Sequence, residues 1–282
     1  FLTSRFYMQN FDEGQVNFLM MTTLLLGLYA LTKKKEWFAA LLFGFSILVK
    51  YMSAIFIPYF LLKRKFRLIF YIFCTMVIFS FFPALIWGWK HNLFLQKQFF
   101  PYVCATSLDM FSLSDSANQS LFSALVRLFS DFGSFGVNIV TLSDKGLFIM
   151  LLSVPILLYL FIFPLSRSKG VFFFDKEFDS IDISLIFICA ALFNPNAWMH
   201  AFIFMTFGYM TVLSYLIQTK IRDKIVLFLI FLSFFLHSFP NSFLTESWAG
   251  EIFEIFSFVT LGALVLFASL LKVKFFPLKI LS

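Results

Sequence analysis

The chain has 282 residues, 61% of them hydrophobic and only 13% charged, with mean hydropathy +0.91 and net charge +7. A soluble domain carries about a quarter charged residues, so this composition excludes a water-soluble globule and fits an integral membrane protein. The basic residues stand in short clusters between apolar runs, the pattern of the positive-inside rule, which sets nucleic acid aside as a partner.

No signal-peptide pattern opens the chain at Phe1, and further residues are expected upstream of it. A helix that crosses the hydrocarbon core needs about 20 apolar residues, and backbone polar groups in lipid must be paired internally. Apolar runs cover residues 16–32, 37–62, 68–87, 146–165, 183–193, 197–218, 225–239 and 252–271. They predict an all-α integral membrane protein, a single transmembrane domain over 1–282. An outer loop at about 88–145 is expected to carry an amphipathic helix.

The first run opens on Gly14-Gln15-Val16-Asn17. Gln15 and Asn17 either cap the helix or line an outward cavity and bind a sugar or phosphate. The second run carries Lys50 at its middle and Pro58 eight residues on. It either spans with a buried lysine or folds as a hairpin of two short helices turning near Lys50. The hairpin gathers more of the basic clusters on one side and places Gln15, Asn118, His200 and Glu246 together on the other, so it is preferred. A cation at that turn suits a lipid-linked phosphate, snorkelling to the interface being the plainer alternative.

Asn118-Gln119-Ser120 precedes Leu121, Leu125, Leu128 and Phe129, apolar residues at helical spacing. Asn118 is placed to cap that helix. Arg127 within it either meets lipid headgroups or binds a phosphate bidentately. The triplet also has the form of a glycosylation sequon. Between two later runs lies Asn194-Pro195-Asn196-Ala197-Trp198-Met199-His200, where Pro195 breaks the helix. Trp198 is an interface anchor or a carbohydrate platform, and His200 can donate, accept or carry charge. The segment 240–251, with Glu246, Trp248 and Glu251, reads as a wet turn with an aromatic anchor.

Cys74, Cys104 and Cys189 lie far apart, without disulfide or metal spacing, and neither metal nor cofactor is expected. No phosphate-binding glycine loop, HExxH or GxSxG motif is present, so a nucleotide-binding soluble domain is not expected, and if the chain is a transferase its donor is membrane-borne.

Taken in order, Gly14-Gln15-Val16-Asn17, the run with Gly44 leading to Lys50 and Pro58, the basic Lys63-Arg64-Lys65-Phe66-Arg67, Asn118-Gln119-Ser120, Arg127 and Asn194-Pro195…Trp198…His200 resemble the polyprenyl-phosphate-mannose-type glycosyltransferases of family 87. The resemblance covers about residues 10–210. It implies a GT-C bundle with broken or re-entrant helices and a site on the outer face of the cytoplasmic membrane. It implies a hexosyltransferase, mannosyl by type, with a polyprenyl-phosphate sugar as donor and a lipid or glycan as acceptor. Lys50 and Arg127 would hold the donor phosphate. Gln15, Asn17, Asn118, Gln119, Trp198 and His200 would contact substrate, with His200 as an auxiliary. The catalytic aspartate of the family would lie upstream of Phe1, and Asp12 and Glu13 are not assigned its role. The chain departs from the family where Ala201 follows His200 in place of a second histidine. A multi-spanning transporter or lipid flippase is the alternative, though no internal repeat supports it.

Overall fold

The computed structural model describes residues 2–107, 109–132, 137–160, 178–238 and 247–278. The basic cluster from Arg167 to Lys176, Glu246 and the side chain of Trp248 lie outside what is described. Every regular element among the described residues is helical. The chain divides into two compact units, Gly14–Asp109 and a larger one that joins Phe1–Glu13 to Met110–Ser282. Helix α1 (Ser4–Asp12) opens the larger unit.

The smaller unit holds α2 (Asn17–Thr32), α3 (Glu36–Val49), a 3-10 helix (Tyr51–Ile55), α4 (Phe56–Leu62), α5 (Phe66–Phe81), α6 (Ala84–Trp87) and α7 (Trp89–Ser107). The continuous stretch Phe66–Trp87 is long and apolar enough to cross a bilayer. The second apolar run is a hairpin. The Phe43 ring lies 5.4 Å from Phe56 and 4.9 Å from Phe60, centroid to centroid. In one straight helix Phe43 and Phe60 would stand about 25 Å apart. The Ser46 and Ser53 hydroxyls meet at 2.8 Å, closing the turn around Lys50. Pro58 falls in the first turn of α4, where its missing N–H costs nothing. Small residues let α3 approach both neighbours: Gly27 of α2 faces the Phe43 ring, and Gly44 faces Thr75 and the Ile72 carbonyl of α5.

The polar stretch 88–145 holds more than the one amphipathic helix expected of it. Helix α7 occupies its first third, tied to α5 by hydrogen bonds from Asn92 Nδ2 (3.1 Å) and Gln96 Nε2 (2.7 Å) to the Ser80 carbonyl. Its amides and lysines masked it as loop.

The larger unit continues with α8 (Met110–Ser114), α9 (Leu121–Phe129), α10 (Asp144–Leu160), α11 (Ser180–Leu192), a 3-10 helix (Met199–Phe204), α12 (Met205–Gln218), α13 (Lys224–Ser238), α14 (Ser247–Ile255) and α15 (Phe258–Phe275). Met199–Gln218 and Phe258–Phe275 are also long and apolar enough to span. Helix α11 is apolar on all sides and is buried over its length apart from Asp182, as a helix without a polar face must be. The last apolar run, expected to be continuous over 252–271, is divided at Ser257. That residue takes a left-handed conformation (φ 58°), and Arg127 engages both the Ser257 hydroxyl and the Ile255 carbonyl there. The break is made by a distant partner, not by a local breaker.

Helix α13 lies along α15 at Gly262, where an added Cβ would stand 2.6 Å from the His237 ring. The ring has no room to yield: Tyr209 Oη sits 2.7 Å from its Nδ1, and its Nε2 is 3.1 Å from the Val259 carbonyl. Gly262→Ala should therefore destabilise the larger unit by about 1–3 kcal/mol, the usual cost of overpacking, read as a lower melting temperature in detergent.

At the opposite end of α12 a second buried cluster forms. Asp223 accepts from Tyr215 Oη at 2.9 Å, from the Val226 N–H and from Lys272 Nζ. Burial alone would raise its carboxyl, but the bonds from Lys272 and Tyr215 outweigh that and hold it below the ordinary carboxylate range. A depressed carboxylate contributes stability above its unfolded pKa and loses it as pH falls through the folded one. The difference in melting temperature between wild type and Asp223→Asn should be largest near neutrality and close as the pH drops below about 4.

Candidate functional site

In the smaller unit the polar residues gather where the apolar hairpin turns. Helix α3 stops at Val49, and Lys50 is extended (φ −155°, ψ 118°) before the 3-10 helix begins. Its backbone N–H still reaches the Ser46 carbonyl at 3.0 Å, so the turn is anchored to α3. Its ammonium donates to Asn17 Oδ1 at 2.9 Å and to Gln15 Oε1 at 3.4 Å. Asn17 is fully buried at the start of α2. Gly14, at φ 61°, takes the left-handed turn that leads into Gln15. These three residues, from two motifs, thus form one cluster. The two partners of Lys50 are amides, whose oxygens solvate an ammonium. A fixed cation beside amides in an apolar setting is suited to hold a phosphate oxygen, since low surrounding dielectric strengthens the attraction.

In the larger unit the other two motifs are docked on each other. The Pro195 carbonyl accepts from Asn118 Nδ2 at 2.7 Å and from Ser120 Oγ at 3.2 Å. The Gln119 N–H donates to the Ala197 carbonyl at 2.8 Å, and Ser112 Oγ donates to Asn196 Oδ1 at 2.6 Å. The cap of α9 is Ser120, whose hydroxyl accepts from the Ser123 N–H at 2.9 Å; the Asn118 side chain, expected there, holds the Ser120 N–H instead. Asn118 is fully buried, so the sequon is closed to modification in the folded chain. Gln119 Nε2 donates to the Ser116 and Glu254 carbonyls, while its Oε1 is buried and accepts no hydrogen bond from the described residues.

Arg127 is buried among the same segments. It donates to the carbonyls of Ile255 (3.1 Å), Asp115 (2.5 Å) and Asn118 (3.0 Å) and to the hydroxyls of Ser123 (2.6 Å) and Ser257 (2.6 Å). Burial lowers its guanidinium to about 10, against the raising effects of Asp115 and Glu254. The fork expected to grip a phosphate is occupied in joining α9 to the α14–α15 break.

Trp198 precedes the 3-10 helix Met199–Phe204 and remains 43% exposed, while His200 behind it is buried. His200 Nδ1 lies 2.7 Å from Glu13 Oε2. An ionised carboxylate only accepts, so Nδ1 carries the proton in this pair. Gln9 Nε2 holds the other Glu13 oxygen at 2.8 Å, and Asn10 Nδ2 donates to the His200 carbonyl at 2.8 Å. Helix α1 thereby clamps the histidine turn, with Phe6 against Phe202 at 6.0 Å and Thr206 Oγ1 bonded to Thr3 Oγ1 at 3.1 Å. Glu13 was set aside in the sequence as a flank of Gly14-Gln15. The one signal available was the Gln9–Glu13 pair at helical i,i+4 spacing, which marks a helix but names no partner.

Gln15, Asn17 and Lys50 therefore meet in one unit, and Asn118, Gln119, Arg127, Trp198 and His200 belong to the other. A family model described as glycosyltransferase family 87 matches residues 1–174 of the 282, ending before Trp198 and His200. No curated protein and no solved structure matches the chain.

Proposed function

The chain belongs to glycosyltransferase family 87, and from that premise we propose that it moves a hexose, mannose in our reading, from a polyprenyl-phosphate donor to a lipid or glycan acceptor on the outer side of the membrane. The family and the apolar helices make it a membrane glycosyltransferase. The observation that carries the finer reading is the Lys50 ammonium held by Asn17 and Gln15 at the apex of an apolar hairpin.

The acceptor oxygen forms a bond to the anomeric carbon as the bond from that carbon to the phosphate oxygen breaks. The phosphate leaves with the electron pair, and the acceptor proton passes to a base. Negative charge grows on the departing phosphate, and a cation already in place stabilises that charge without reorganising. Lys50 has this role in our reading, with Gln15 and Asn17 fixing it and contacting the donor. Trp198 offers an aromatic face to a sugar, and His200, oriented by Glu13, contacts donor or acceptor. Asn118 and Gln119 hold the Pro195 turn and so position Trp198 and His200, with Arg127 bonded behind them to the Asn118 carbonyl. The basic turns after α2 and α4 lie at the other end of the hairpin from Lys50, which by the positive-inside rule favours an outward-facing site.

The test supplies labelled polyprenyl-phosphate mannose, and then other hexoses, to membranes carrying the full-length protein. Label should move into a lipid or glycan fraction. Silence with every common hexose and acceptor would remove the donor assignment.

A further inference from the structure

The other end of the same hairpin carries a feature that sugar transfer does not use. Helices α2 and α4 end in matching sequences, Tyr29-Ala30-Leu31-Thr32-Lys33-Lys34-Lys35 and Tyr59-Phe60-Leu61-Leu62-Lys63-Arg64-Lys65. They also end in matching geometry. Lys34 and Arg64 are left-handed, at φ 57° and 56°. The Lys35 N–H returns to the Ala30 carbonyl and the Lys65 N–H to the Phe60 carbonyl, both at 2.9 Å. Lys34 and Arg64 donate to the Leu31 and Leu61 carbonyls, again at 2.9 Å. These are Schellman caps, in which the left-handed position strongly favours glycine because a side chain there is strained. Helix α12 repeats the cap with Lys220 at φ 50°. Three helices thus place a long cation where the backbone prefers none.

The rest of each turn repeats as well. Lys33 stands 5.4 Å over the Tyr29 ring and Lys63 5.5 Å over the Tyr59 ring. Arg67 Nε lies 3.9 Å from Glu36 Oε2, which brings the two turns together. Lys33, Lys34, Lys63, Arg64 and Arg67 are exposed. Trp37 and Phe66, at 62% and 61% exposed, flank them with apolar surface. One carboxylate among seven cations leaves a strongly positive face, bordered by aromatic rings of the kind that sit at headgroup level.

We propose that these paired basic turns form a binding surface for anionic phospholipid headgroups in the leaflet at that end of the hairpin. Helix C-termini draw cations electrostatically, but glycine would serve the cap itself better. The retained charge at Lys34 and Arg64 is accounted for by an anionic partner, and the neighbouring aromatic rings place that partner in a bilayer.

The caps supply their own control, because Lys34→Gly with Arg64→Gly removes two charges while relieving both left-handed side chains. The full-length protein and this double variant are purified in detergent and titrated with phosphatidylglycerol or phosphatidylcholine, with retained lipid counted by native mass spectrometry. Wild type should retain phosphatidylglycerol preferentially. The double variant should melt no lower in phosphatidylcholine and should bind phosphatidylglycerol about 30-fold more weakly, at roughly fivefold per charge. Equal retention of the two lipids by wild type, or undiminished phosphatidylglycerol binding by the variant, would overturn the proposal. If the glycine variant does not fold, Lys33→Gln with Lys63→Gln leaves both caps intact and is read by the same two criteria.

Discussion

Lys50→Met should lower sugar transfer by at least about 100-fold, the loss typical when a preorganised electrostatic stabiliser of a departing anion is removed. Methionine matches the length of the lysine stem and has no charge, so it fills the same space at the turn. Stability should move little, for two effects oppose each other. The Asn17 carboxamide loses a partner at 2.9 Å while fully buried, which costs about 1–3 kcal/mol if nothing replaces it. Against this, an ammonium is no longer held within an apolar hairpin, and charges at membrane depth are themselves costly. Transfer assays and detergent melting curves on the same preparation separate the two. Activity within threefold of wild type would leave Lys50 a packing residue and take the donor-phosphate assignment with it.

The hairpin itself was legible because two independent signals agreed. Lys50 at the centre of a 26-residue run is expensive in a straight span, and the basic clusters balance better if the chain reverses there. The contact of Phe43 with Phe56 and Phe60 shows that it does. Pro58, eight residues on, falls in the first turn of α4, after the chain has reversed.

What stayed hidden depends on partners far away in sequence. Ser257 has no breaker beside it, and its left-handed turn is held by an arginine 130 positions earlier. Glu13 and His200 are 187 positions apart, and neither residue indicates the other. Asn118 reads as a cap, as part of a sequon or as a substrate contact. The observed task, binding the Pro195 carbonyl, can be recognised only when both motifs are in view at once.

Arg127 shows most clearly how one sequence signal supports two opposite roles. An arginine on an amphipathic helix looks the same whether its fork meets a headgroup, a substrate phosphate or the protein's own carbonyls. Here it meets five acceptors from four segments: the 115–118 loop, α9 itself, the end of α14 and Ser257. Arg127→Ala should therefore destabilise the larger unit by at least about 3 kcal/mol, since buried acceptors bonded to a charged group lose their partner together. Arg127→Lys should rescue only a small part, because one ammonium with three donors cannot reproduce a planar fork reaching both sides. Melting curves and limited proteolysis of the full-length protein give the measurement. The diagnostic result is the order of failure. If Arg127 is a scaffold, folding and transfer fall together in both variants. If it grips phosphate as the sequence suggested, Arg127→Lys keeps its melting temperature and loses transfer alone.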